Sequence, residues 1–323
     1  MLLALVVALA VITVFFGSAL SRTAKGEPFY LKVGDNQTSA TVADQLEEKG
    51  VARSAFALKL YLLARRINRM TPGTYQFHPG MSAAEIAIAC RHPIIVSLYL
   101  PENFWIARKA KMLQAQEVVS AEDFIAATQD TETYQPFVEF KLPSGSLEGY
   151  LYPDRYNFAP KSAPQEVIAK QLAAFNKKVW LPLGKPGNLR QAVIVASMVE
   201  LETMRDSERP KVARVIYNRI AKGMPLQIDA TVNYALQEWR PLKQSEYHSV
   251  KSPFNTYLHT GLPPGPICSP GLRSIQAALK PAEGDYLYYV AMPDGHQVFT
   301  SDYQQHLKNV ALRRKLMAQK QNP

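Results

Sequence analysis

Cysteine is nearly absent from this chain of 323 residues: only Cys90 and Cys268 occur, far apart and without metal-ligand spacing. A disulfide framework and a cysteine-rich zinc site are thereby excluded, and the two read as buried free thiols. Histidine is also scarce. His248, His259 and His296 show no ligand spacing, so neither a metal nor a cofactor is expected. Nucleic-acid signatures are missing too. The formal charge is +10, but the basic residues are scattered and no nucleic-acid-binding motif accompanies them, so nucleic acid is not the expected partner. The excess instead suits an acidic polymer or an anionic membrane surface.

Charge is missing from the N-terminus. Residues 2–20 carry none, and Thr13, Gly17 and Ser18 are their main interruptions. On a helix this run rises roughly 30 Å, the thickness of a bilayer's hydrocarbon core. Residues 1–21 are therefore expected to be an uncleaved membrane anchor, with cleavage near Ser18, Ala19 and Ser21 as the alternative. Arg22 and Lys25 follow the run and nothing basic precedes it, which by the positive-inside tendency places the body in the cytoplasm.

The length allows two modest cores. Phe29–Val33 reads as a strand, Thr41–Lys49 as a helix closed by Gly50, and Phe56–Ile67 as a second helix after Ser54. Gly73–Phe77 returns as a strand, and Ser82 with Glu85 has capping-box spacing for a helix running to Cys90. This strand, helix, helix, strand order resembles a LysM-type carbohydrate-binding module, departing from it in the longer second helix and the helix that follows; a small α+β lobe that merely spaces the rest of the chain from the membrane is the alternative. A further strand is expected over 94–100 and helices over 101–116 and 122–128. The aromatic segment Leu147–Asp154, broken by Gly149 and Pro153, reads as a surface loop or short strand suited to sugar stacking or to core packing.

The second half is denser in signals. Asn188–Glu202 reads as a helix that is apolar nearly all round, hence buried. Arg209–Lys222 reads as a second helix, with Pro210 in its first turn and Gly223 beyond its end. Tyr286–Met292 and Gln297–Thr300 flank a hairpin turn at Pro293–His296.

Chemistry concentrates at the end of the buried helix, where Glu200 and Glu202 stand two residues apart. At about 100° per residue they point about 200° apart and cannot share one bound group. Glu202 continues the stripe of Ala192, Val195 and Val199, whereas Glu200 lies off it, so Glu202 is the candidate buried acid. Burial raises a carboxyl's pKa and keeps it protonated, as a general acid in glycoside cleavage must be. A structural ion pair between Glu202 and Arg205 or Arg209 is the alternative left open by spacing.

The run Val195–Thr203 is followed in order by Ser207–Arg209, Val215–Arg219, Gly223–Val232, Asn255–Tyr257, Gly261–Ile267 and Ser269–Gly271. With Gly73–Phe77 and Glu148–Asp154 upstream, this series resembles the MltG (YceG-like) family of endolytic murein transglycosylases over nearly the whole chain. The sequence departs from that family's pattern at Leu201, Ala230, Tyr152 and Ser269, where lysine, proline, phenylalanine and asparagine are common.

The resemblance implies that Glu202, the second glutamate of the Glu-x-Glu-Thr run, is catalytic. It implies a substrate cleft lined by Asn218, Gln227, Asp229, Asn255 and Tyr257. It further implies cleavage of the bond between N-acetylmuramic acid and N-acetylglucosamine in peptidoglycan strands, leaving 1,6-anhydro ends and terminating or trimming nascent glycan. Wall-synthesis proteins are then candidate partners. Because that substrate lies outside the cytoplasmic membrane, a single-pass bacterial inner membrane protein with a periplasmic body is expected, against the charge rule. The rivals are a lysozyme-like hydrolase using Asp229 as second carboxylate, and a non-catalytic peptidoglycan-binding scaffold.

The expected fold class is therefore α+β, with the anchor at 1–21, a LysM-like lobe at 28–95, a connecting region at 96–185 and a mixed α/β catalytic core at 186–310.

Overall fold

The computed structural model describes residues 2–321; the side chains of residues 1–4, 8 and 320–323 lie outside that description. Part of the predicted anchor falls there. The chain forms two compact units, Met1–Ser97 with Gln116–Val118 and Asn157–Ser162, and Leu98–Ala115 with Val119–Tyr156 and Ala163–Pro323. Helices and small two-stranded sheets make up both, a mixed α/β content.

The first unit opens with helix α1 (Leu2–Ala19), which is uncharged and exposes Leu5, Val6, Leu9 and Val14. Among the described residues no helix is long and apolar enough to cross a membrane. The helix is shorter than predicted because the chain turns at Ser21, whose hydroxyl donates to the Ser18 carbonyl, and Leu20 packs against the core of the unit.

Beyond it, β1 (Phe29–Val33) pairs antiparallel with β2 (Gly73–Phe77), Leu31 opposite Tyr75. Between them lie α2 (Ser39–Glu48), capped by Thr38, and α3 (Ala55–Ala64), capped by Ser54. Helix α4 (Ala83–Ala89) begins at the expected capping box, Ser82 and Glu85 satisfying each other's backbone. Val33, Leu46, Leu58, Leu62, Phe77 and Ile86 fill the core. Cys90 is buried there as a free thiol, and Cys268 is buried and free in the second unit.

Strands β3 (Val96–Leu100) and β4 (Asp154–Phe158) form the second small sheet. Helices α5 (Ile106–Ala115), α6 (Ala121–Ala127) and the single turn α7 (Thr131–Tyr134) occupy the segment between these strands. Helix α8 (Pro164–Phe175) continues into one turn of π-helix ending at Trp180. Phe140, Tyr150 and Phe175 pack ring against ring, so Tyr150, with the buried Leu147 beside it in the 147–154 stretch, is a core residue rather than a sugar platform.

Helix α9 (Leu189–Glu202), whose residues from Ala192 to Val199 are all buried, is packed by α10 (Arg209–Ala221), α11 (Asp229–Leu236) and α13 (Leu272–Leu279), and the turn α12 (Glu246–Ser249) packs on α11. The hairpin is formed by β5 (Tyr288–Ala291) and β6 (Gln297–Thr300), with Tyr289 opposite Phe299. Helix α14 (Tyr303–Gln321) packs against it.

Candidate active site

The two carboxylates of α9 have separate fates. Glu200 accepts from Arg209 Nη1 at 3.0 Å and from the Gly271 amide at 2.9 Å, with both charged side chains almost fully buried. Its oxygens are committed to holding α10 and the start of α13. Arg209 also pairs with Asp206, and Arg205 donates to the Asp294 carbonyl. Neither arginine pairs with Glu202, so the structural ion pair left open by the sequence falls on Glu200.

Glu202 ends α9, where Thr203 takes an extended backbone conformation. The Thr203 hydroxyl donates to Glu208 Oε2 at 2.9 Å, and the Gln297 amide donates to Glu208 Oε1 at 2.9 Å. Gln297 Nε2 donates to the Glu202 carbonyl at 2.9 Å. The hairpin thus stitches the C-terminus of α9, supplying partners that a helix end lacks.

Among the described residues one side-chain hydrogen-bond partner reaches the Glu202 carboxyl: the Tyr289 hydroxyl donates to Oε2 at 2.9 Å. Burial pushes this carboxyl up to about 7; Tyr289 pulls it down, Asp229 adds a smaller upward push, and Arg219 opposes that push. Glu202 nonetheless keeps partial solvent access. A carboxyl near 7 with an open edge can hold a proton and give it away.

Arg219 is rigidly placed. Its Nε donates to the Leu287 carbonyl at 2.7 Å and its Nη1 to the Leu226 carbonyl at 2.8 Å, with the guanidinium 5.4 Å from the Tyr288 ring centroid. The same Nη1 lies 3.5 Å from Gln227 Oε1. Gln227 is exposed and sits in the left-handed region at φ +54°, a conformation uncommon for a residue with a side chain and enriched at functional sites. Its amide donates to the Thr256 carbonyl. The next amide, Ile228, donates to the Thr256 hydroxyl at 3.0 Å.

Asp229 opens α11 with its carboxylate exposed. Tyr257 donates to Oδ1 at 2.5 Å and Tyr247 to Oδ2 at 3.4 Å. The two rings lie 4.5 Å apart. Burial, and then the bond to Asp229, raise the Tyr257 hydroxyl's pKa, to which Glu202 also contributes. Tyr257, Asp229, Arg219 and Tyr289 therefore share one electrostatic neighbourhood with Glu202.

The two asparagines stand apart from it. Asn255 is fully buried, its Nδ2 donating to the Tyr247 and Val250 carbonyls while its Oδ1 accepts from the Tyr257 amide. Asn218 Nδ2 donates to the Gly284 and Tyr286 carbonyls at 3.1 and 3.0 Å. Both amide groups are spent on backbone, which shapes the loops carrying Tyr257 and the hairpin. Tyr289, Gln297 and the charge of Arg219 were not singled out from the sequence. Arg219 lies within the Val215–Arg219 motif, and Tyr289 within the predicted hairpin, but nothing in spacing links either to Glu202.

The YceG-like family profile matches residues 31–312, most of the chain. The chain belongs to the YceG-like family. It is similar to a curated endolytic murein transglycosylase of Bacillus subtilis, 28% identical over 298 residues, covering 86% of this chain and 82% of the relative. A relative of the same description from Streptococcus pneumoniae is 28% identical over 320 residues, covering 87% of this chain and 58% of the relative. Among solved structures, a yceG-like protein from Listeria monocytogenes superposes with a TM-score of 0.56 at 26% identity, covering 88% of this chain and 99% of that one. The YceG-like match spans the first unit's lobe as well as the helices carrying Glu202 and Asp229.

Proposed function

We propose that this YceG-like protein is a lytic transglycosylase that cuts within peptidoglycan strands, using Glu202 as its single acid and base. The observation that carries the reading is a carboxyl raised to about 7, partly open, and held by one tyrosine hydroxyl. The names of its curated relatives support it.

In this mechanism protonated Glu202 gives its proton to the oxygen joining N-acetylmuramic acid to N-acetylglucosamine as the C1–O bond breaks. The resulting carboxylate takes the proton of the muramic C6 hydroxyl as that oxygen bonds to C1. The products are a 1,6-anhydromuramic end and a new N-acetylglucosamine hydroxyl, with Glu202 protonated again and no water consumed. Ordinary glycosidases use two carboxylates because a water or a covalent intermediate must be handled; an internal nucleophile removes that need. Asp229, fixed by Tyr257 and Tyr247, places negative charge where positive charge grows at C1. Gln227, Asp229 and Tyr257 are assigned direct sugar contact, Asn218 and Asn255 the positioning of the loops around it.

Residues 28–95 are read as a LysM-like glycan-binding lobe, 96–185 as a connecting region and 186–310 as the catalytic core. α1 is read as the anchor in the cytoplasmic membrane, supported by its uncharged, exposed apolar surface. Terminating nascent strands beside wall-synthesis proteins would follow from that placement.

Mass spectrometry of digested glycan strands tests the reading. Anhydro ends from the wild type and none from Glu202→Gln, with strand binding retained, are expected. Reducing ends would replace it with a hydrolase, and absence of cleavage by the wild type with a binding scaffold.

A further inference from the structure

Helix α3 is apolar on both faces. Ala55, Leu58 and Leu62 are buried in the lobe core, while Phe56, Leu60 and Leu63 are 63%, 40% and 58% exposed. At 100° per residue these three lie within about 60° of one another, forming one outward stripe. A helix that is hydrophobic all round is ordinarily covered by protein or by lipid, and a contiguous exposed apolar patch marks an interaction surface.

Two observations identify what covers it. The first is charge. From Lys49 to Ala84 the sequence contains no Asp or Glu, but carries Lys49, Arg53, Lys59, Arg65, Arg66 and Arg69. Arg53 precedes α3, and Arg65, Arg66 and Arg69 follow it, all exposed. Apolar residues bordered by basic ones form the pattern of a helix lying in an anionic membrane interface.

The second observation is continuity with α1. Ala19, Leu20 and Ser21, where α1 ends, share a cleft with Arg53, Ser54 and Leu58 at the start of α3. Arg22 is fastened to the same lobe, donating to the Gly80 carbonyl and to Glu85, while Arg53 donates to the Arg22 carbonyl. The lobe therefore does not swing freely on α1.

We infer that α3 lays Phe56, Leu60 and Leu63 into the surface of an anionic lipid bilayer, docking the N-terminal unit on the membrane that α1 enters. The inference rests on the anchor reading of α1. Arg53, Arg65, Arg66 and Arg69 meet lipid phosphates, and the apolar stripe sits at the headgroup boundary.

The test uses the full chain reconstituted into phosphatidylglycerol-containing vesicles, with an environment-sensitive dye on Leu60→Cys or, separately, on Leu5→Cys. Cys90 and Cys268 are buried and remain unlabelled. With spin-labelled lipid present, both dyes are expected to be quenched. Substituting Phe56→Ser and Leu63→Ser together should release only the Leu60 dye, as should phosphatidylcholine vesicles at high salt.

A quenched Leu5 dye beside an unquenched Leu60 dye overturns the docking while leaving the anchor standing. Two unquenched dyes overturn both. A Leu60 dye that responds to soluble glycan strands instead of lipid overturns the docking in favour of a sugar-binding face.

Discussion

The Tyr289 hydroxyl on β5 donates to Glu202 Oε2 across 2.9 Å, joining residues 87 positions apart. This bond favours the charged carboxylate, whereas burial disfavours it more strongly, and the balance leaves the acid near 7. Tyr289→Phe is therefore expected to raise the Glu202 pKa. The alkaline limb of the kcat/KM profile should move to higher pH, while kcat falls because the carboxyl loses its orienting partner. A profile with an unmoved limb would contradict this role.

The wild-type rate should decline as pH rises through about 7, since the acid must be protonated in the free enzyme. Glu202→Gln cannot exchange the proton at any pH. A loss of about 10²–10⁴-fold or more is expected across the whole profile, measured as anhydro ends released per unit time.

Stability has the opposite reason to care about this residue. The folded carboxyl binds its proton more tightly than an ordinary glutamate near 4.5, so its contribution is fully present below that value and is lost as pH rises towards 7. Glu202→Gln should thus match the wild type near pH 4.5 and exceed it near pH 8, by on the order of 1–3 kcal/mol. Denaturant midpoints at the two pH values check this.

Asn255→Ala strands two backbone carbonyls and the Tyr257 amide in a fully buried site. A cost of about 2–4 kcal/mol in thermal or chemical unfolding is expected, because a buried unsatisfied polar group costs about 1–3 kcal/mol. An effect on substrate affinity with unchanged stability would return Asn255 to direct sugar contact.

Gln227→Gly removes a side chain from left-handed backbone. The protein should lose none of its stability and gain up to about 1 kcal/mol, while KM rises if the amide touches sugar as proposed.

Much of this architecture was legible where local signals agree. The capping box at Ser82 and Glu85, Pro210 and Gly223 bracketing α10, and the Pro293–His296 turn each carry their own chemistry, and each element appeared within a few residues of its expected limits. Helix α13 was missed because it follows the Gly- and Pro-rich 261–271 loop with no capping side chain at Gly271, and its eight residues are too short a run for an apolar period to stand out. Strand β4 was hidden behind Pro153.

At the site, helical angles separated Glu202 from Glu200 because both lie on one element. No angle along a strand tells which of Tyr286, Tyr288 and Tyr289 meets an acid on a distant helix. That choice belongs to the packing of the hairpin on α9. Asn218 and Asn255 illustrate the converse: an amide suited to sugar is equally suited to a backbone carbonyl, and here the backbone holds both.

Gln297 and Tyr289 clasp the end of α9 from a hairpin that is made late in synthesis. On a growing chain Glu202 emerges long before either of them. Until the hairpin folds back, that glutamate lacks the enclosure and the hydroxyl that set its proton affinity, so a chain halted before residue 289 would carry the acid without its acidity having been tuned.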